Sequence, residues 1–152
     1  MIDAKRALED SIDSLTSLIT PDTPVDAFNP GGTDSWNYIG HVTDNDLKSV
    51  YVVWQVKPDQ YIRFDLGQIQ EVNTLMLLDT RAKRYNITLK VYLSDTVEDD
   101  NVASNLCYEG YRFALVKCQG FGRYLTIRHN KNVMVETDGG EWMFNQIGAF
   151  RQ

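Results

Sequence analysis

The stretch Cys118-Gln-Gly-Phe-Gly-Arg-Tyr-Leu-Thr-Ile127 sets two glycines and an arginine beside a cysteine. Two chemistries follow from such a grouping: anion binding by backbone amides, and thiol pairing. A phosphate-holding glycine loop follows a strand and opens a helix, because the free amides and dipole at the helix N-terminus hold the anion. Here the glycines open the alternation of a strand, so Gly120 and Gly122 are expected to be turn residues that take positive φ, with Arg123 laid beside Tyr124. The phosphate reading is set aside. A bridge from Cys107 to Cys118 would contribute about 3 kcal/mol in the chain-entropy description. Two reduced, half-buried thiols fit the same spacing, and the redox compartment decides between them. The sequence has no Cys-x-x-Cys and only two histidines, His41 and His129, which argues against thiolate zinc.

Catalysis by a nucleophile, a base and an orienting group would need one of those two histidines, and neither stands in a nucleophile motif. Paired carboxylates meet in space rather than in sequence, but 152 residues leave little room for a deep cleft. A non-enzymatic domain is expected. Sugar sites stack rings on exposed aromatics, and Trp36 and Tyr38 lie in a polar, glycine-rich passage that makes them ligand candidates. Trp54 and Trp142 lie in strand-like stretches and read as core.

These residues need elements to position them. With 43% hydrophobic residues, the chain suits one packed domain. Its net charge of -6 would repel a nucleic-acid backbone on average. No apolar run approaches the roughly 18 residues of a membrane span. The first twenty residues carry no secretory leader pattern, so a cytoplasmic assembly or a virion is expected over secretion. Leu8, Ile12, Leu15 and Ile19 follow helical spacing and predict an amphipathic helix over residues 3–19, ended by Pro21 and Pro24. That stripe either packs on its own domain or docks the chain to a partner or a second copy.

From Val50 onward the period is two. Ile62, Phe64 and Leu66 face inward against Tyr61, Arg63 and Asp65, and Ile87, Leu89, Val91 and Leu93 oppose Thr88, Lys90 and Tyr92. Val72–Leu78 reads as a strand covered on both faces. Further strands are expected at 50–56, 111–117, 124–128 and 142–150, with Asp99-Asp100-Asn101 as an exposed hairpin tip. The fold class is all-β, an antiparallel sandwich with one N-terminal amphipathic α-helix: residues 1–24 as helix and linker, 25–152 as the sandwich.

Gln60-Tyr-Ile-Arg-Phe-Asp-Leu-Gly67, the run from Cys107 through Cys118 to Gly122-Arg-Tyr-Leu-Thr-Ile127, the closing strand 142–150 and His41-Val-Thr-Asp-Asn-Asp46 occur in an order that resembles the galactose-binding-domain-like sandwiches. That group contains discoidin domains and F-type lectins. The resemblance implies an eight-stranded jelly roll whose loops at one end bind ligands. It puts Arg81 at the arginine of the lectin sugar clasp, but Lys83 holds the acidic place and Thr88 the later basic one, so the fucose clasp is not carried over. Arg81, Lys83 and Arg84 remain as a basic cluster at a strand-loop boundary. The resemblance further implies a structural calcium, with Asp44, Asp46 and Ser49 as oxygen ligands and Gln146 where the lectins place a glutamate. Two functions are expected: first, a non-catalytic structural or attachment module docked through its helix into a larger assembly, such as a viral capsid or tail accessory protein; alternatively, an independent carbohydrate-binding domain.

Overall fold

A computed structural model describes residues 17–27, 42–43, 51–53, 61–78, 88–111, 115–129, 142–144 and 146–151. Within them run eight strands: β1 (Val25–Ala27), β2 (Tyr51–Val53), β3 (Tyr61–Leu78), β4 (Leu89–Ser94), β5 (Leu106–Gly110), β6 (Val116–His129), β7 (Trp142–Phe144) and β8 (Gln146–Phe150). One sheet has the order β1-β3-β6-β4-β5, with β8 also on β3, and β2 pairs with β7 in a second, all pairs being antiparallel. The all-β expectation holds among the described residues. Leu8, Ile12 and Leu15 lie outside them. Ser17–Ile19, the tail of the expected helix, are not helical: Leu18 N donates to Ala149 O at 2.7 Å and Ile19 is buried in the sandwich core.

Strands expected as separate pieces are continuous. Residues 61–66 and 72–78 belong to the single strand β3, which is far longer than the usual five or six residues and so must bend. The bend lies at Asp65-Leu66-Gly67: Gly67 N donates to Asp65 Oδ1 at 2.8 Å, and Gly67 takes φ 85°, a conformation that costs any residue with a Cβ. The pairing with β6 shifts register between Asp65 and Gln70.

β6 bends with it, and Gly120 and Gly122 are not turn residues. Both lie within β6, and neither has positive φ. Gly122 is a glycine because backbone lies against backbone there: its Cβ would stand 2.8 Å from Ser94 N and 3.0 Å from Leu93 C, whereas a Cβ on Gly120 would meet only the tip of the Leu93 side chain at 3.3 Å. Beyond the Gly122 contact the first half of β6 leaves the plane of β4. In a flat sheet β5 and β6, separated by β4, would lie nearly 10 Å apart at two spacings of about 4.8 Å. Cys107 on β5 and Cys118 on β6 instead have Cα atoms 4.8 Å apart and are joined as a disulfide. The sheet thus curls over itself and closes one core, in which Ile62, Phe64, Leu89, Val91, Leu125 and Ile127 join Leu75, Leu77, Val116, Cys118, Ile147 and Ala149. Inward alternation in both halves of β3 and β6 supplies this core, as the period-two reading expects.

Two outward assignments change. Tyr92, expected at the surface, is buried, and so is Ser94. Their face is covered by the segment from Asp95 to Asn105, which is held by turns and one 3-10 turn (Ala103–Asn105). Asp100, expected at an exposed tip, is only 5% exposed. The stretch 142–150 also divides, since β7 pairs with β2 while β8 pairs with β3.

Candidate functional site

The strand register gathers several strand ends. Ala27 stands opposite Ile62, Tyr61 opposite Arg128, and Leu89 opposite both His129 and Gly110. Ends of β1, β3, β4, β5 and β6 therefore meet at one end of the sheet. Along the chain, the segment with Trp36 and Tyr38 follows Ala27, and the segment with Arg81, Lys83 and Arg84 leads to Leu89.

A charged cluster ties this end together. Tyr61, Arg63 and Arg128 point outward by the same alternation that buries Ile62, Phe64 and Ile127. Tyr61 Oη and Arg63 Nη2 each donate to Asp26 Oδ2 at 2.9 Å. Arg63 Nη1 donates to Asp100 Oδ2 at 2.9 Å, and Arg128 Nη2 to Asp100 Oδ1 and Oδ2 at 2.9 and 3.0 Å. Both guanidinium groups also lie against the Tyr61 ring, at 4.8 and 5.2 Å from its centroid. Burial first, then the hydrogen bond and charge of Asp26, raise the Tyr61 phenol above its ordinary value, so it stays protonated at neutral pH. Burial alone would lower Arg63, but its hydrogen bond to Asp100 and the charges around it raise it. The shared carboxylates tie one strand end to the next, so the cluster stiffens this end of the sheet.

Tyr111 stands just past this rim, with its side of the chain 51% exposed. Tyr108 Oη donates to Tyr111 O at 2.5 Å, and a Cβ on Gly110 would meet that hydroxyl at 2.6 Å, so the glycine makes room for the contact. Burial raises the Tyr108 phenol. A second ion pair marks the bend in β3, where Arg123 Nε and Nη2 reach the two oxygens of Asp65 at 2.8 and 3.0 Å. The expected neighbour Tyr124 has its ring centroid 5.2 Å from that guanidinium.

Trp36, Tyr38, Arg81, Lys83, Arg84, Asp44, Asp46 and Ser49 lie outside the described residues. Gln146 is described: it opens β8 opposite Leu78 and is 4% exposed. Among the described residues no three His, Cys, Asp or Glu side chains gather to hold a metal ion, and no helix is long and apolar enough to cross a membrane. The cluster of Asp26, Tyr61, Arg63, Asp100 and Arg128 was not visible as a site in the sequence. Its signal was two outward arginines that register places near each other, but only the fold carries Asp100 to them.

No protein-family model matches this sequence, and no curated protein matches it. Solved structures do. The chain is similar to a Ruminococcus gnavus GH29 fucosidase in complex with fucose (TM-score 0.71, 20% identity, 99% of this chain and 31% of that one). It is similar to a fucolectin of the striped bass Morone saxatilis (TM-score 0.63, 14% identity, 90% of this chain and 47% of that one). It is also similar to the CBM32 module of AlyQ in complex with 4,5-unsaturated mannuronic acid (TM-score 0.57, 17% identity, 85% of this chain and 95% of that one). The chain thus spans about a third of the fucosidase and nearly all of the single module. At these identities the likeness concerns the fold: the chain has the galactose-binding-like β-sandwich fold.

Proposed function

We propose that this domain is a non-catalytic carbohydrate-binding module. The observation that carries the reading is the superposition of 85% of the chain on a module that, by itself, is a carbohydrate-binding domain with a sugar bound. The geometry supports it. Charged and aromatic contacts lock the strand ends that the segment bearing Trp36 and Tyr38 leaves after Ala27 and that the segment bearing Arg81, Lys83 and Arg84 enters before Leu89, and a rigid rim lowers the ordering cost of a ligand site beside it. Trp36, Tyr38 and the rim residue Tyr111 are proposed as stacking faces, with Arg81, Lys83 and Arg84 as donors to hydroxyl groups. A calcium on Asp44, Asp46 and Ser49 would serve to order a loop, with Gln146 as a neutral neighbour.

The neighbours favour glycan binding over the assembly and virion readings. Ile19, one of the four stripe residues, packs into this domain's own core, which weakens the case that the stripe is kept free for a partner. The disulfide supports an oxidising compartment rather than a cytoplasmic one. A glycan array followed by calorimetry, with and without calcium, tests the function. Binding that is lost in Arg81→Ala/Arg84→Ala supports it, and the absence of binding across neutral, acidic and amino sugars retires it.

A further inference from the structure

We propose a second glycan-contact surface on the outer face of the β3–β6 ribbon, taking the inner units of an uncharged oligosaccharide. It rests on the carbohydrate-binding reading and adds a site away from the loop rim. A groove of about 510 Å³ lies there, lined by Glu71, Asn73 and Thr74 of β3, by Val116, Lys117 and Gln119 of β6, and by Leu115. It is open to solvent along its length, so it suits a chain laid on the surface rather than an enclosed small ligand. It sits on the first half of β6, beyond the Gly122 contact, whereas the rim lies at His129.

Three features distinguish this face from an ordinary polar surface. Its chemistry is mixed: the Glu71 carboxylate and Lys117 ammonium cancel in charge, Asn73 Nδ2 donates to Glu71 Oε1 and to Arg151 O, and Thr74 and Gln119 offer both donors and acceptors, as a polyhydroxylated chain requires. Asn73 also holds a buried Oδ1 with no hydrogen-bond partner among the described residues. Second, apolar groups stand at its ends. Phe121, 66% exposed, is the register partner of Glu71, and Leu115 is 65% exposed. An exposed ring beside a carboxylate gives a sugar both a stacking face and an acceptor. Third, the surface is rigid. Lys117 and Gln119 flank Cys118, whose side chain is buried and bridged to Cys107, and the shift in register between Val72 and Thr74 spreads the two strands' side chains around the groove. A fixed backbone spares this surface the cost of ordering a loop on binding, and leaves only the rotamers of Lys117 and Gln119 to be ordered.

The test compares neutral oligosaccharides long enough to reach from His129 to Lys117 along β6, ending in fucose, galactose or glucose, with the same monosaccharides, by calorimetry on the whole chain. The variants are Phe121→Ala and Lys117→Ala/Gln119→Ala, each checked for an unchanged melting temperature. Oligosaccharide affinity is expected to fall by roughly tenfold in each, from lost stacking or hydrogen bonds, while monosaccharide affinity holds. Amide shifts at Lys117 and Gln119 should grow with oligosaccharide and not with monosaccharide. If the unaltered chain binds sugar and neither variant changes oligosaccharide affinity, the second surface is overturned and the module reading stands. If the unaltered chain binds no sugar, both fall. If Phe121→Ala leaves sugar affinity alone and instead abolishes self-association in sedimentation, the face is a protein contact and the inference is wrong.

Discussion

Arg128 Nη2 stands 2.9 and 3.0 Å from the two oxygens of Asp100, pinning a buried carboxylate in the 95–105 segment to the outer face of β6. Arg63 holds the same carboxylate from β3. The Asp100 side chain is 7% exposed, so removing it strands the Arg128 guanidinium and leaves Arg63 with Asp26 alone. Asp100→Ala is expected to cost on the order of 3 kcal/mol, lowering the melting temperature by roughly 6 to 12 °C at this chain length. Glu98→Gln, in the exposed part of the same segment, should change it by less than about 0.5 kcal/mol. Thermal unfolding of both variants checks the contrast, and equal effects would contradict the pairing.

The Cys107–Cys118 bridge predicts a redox-dependent stability. Cys107→Ser/Cys118→Ser should lose about 3 kcal/mol, and a strong reductant should bring the unaltered chain close to that variant while leaving the variant unmoved. Melting curves with and without reductant decide it. A reductant effect equal in both proteins would mean that the thiols are not paired.

Two glycines should fail for different reasons. Gly122→Ala drives a Cβ into the backbone at Leu93 and Ser94 and is expected to cost about 1–3 kcal/mol by overpacking. Gly67 has nothing within 4 Å of its Cβ position but sits at φ 85°, so Gly67→Ala costs about 1 kcal/mol or more through backbone conformation alone. Asparagine tolerates that conformation, so Gly67→Asn should recover part of the loss while Gly122→Asn recovers none. Urea denaturation of the four variants separates the two causes.

Acid should expose the Asp65–Arg123 pair. The hydrogen bond from Arg123 is the largest influence on the Asp65 carboxyl; with help from Gly67 N it outweighs burial and holds the group below the ordinary value of about 3.9. The folded chain therefore binds this proton less readily than the unfolded chain. The stabilisation is complete above about pH 4 and is lost as pH falls through the lowered folded value. Both side chains are partly exposed, so solvent screens the pair and the effect is small. Asp65→Asn should lose this small stabilisation at neutral pH and converge with the unaltered chain below about pH 4, which flattens the acid limb of its stability curve. An acid limb identical to that of the unaltered chain would refute the assignment.

Much of the fold could be read before any coordinates. The inward row Ile62, Phe64, Leu66 and the row Leu89, Val91, Leu93 are buried as their alternation requires, because a strand offers alternate side chains to opposite faces whatever surrounds it. The order of motifs also pointed to the galactose-binding-like sandwich. The rim was less legible. Trp36, Tyr38, Arg81, Lys83 and Arg84 are named from residue type and position along the chain, since the sequence around them carries no periodicity from which to place them.

Residue order alone thus determined the period-two core and the two cysteines available for pairing, since each depends on near neighbours or on composition. Tertiary structure decided the rest. It set Gly120 and Gly122, presumed turns, within β6 and Gly122 against β4; it buried Asp100 beneath two arginines, drew Ile19 into the core and brought Cys107 to Cys118. The Asp100, Ile19 and Cys107–Cys118 contacts join residues from strands or segments that are not adjacent in the sheet, and the disulfide further needs the first half of β6 to leave β4, which follows the shift in register between Asp65 and Gln70.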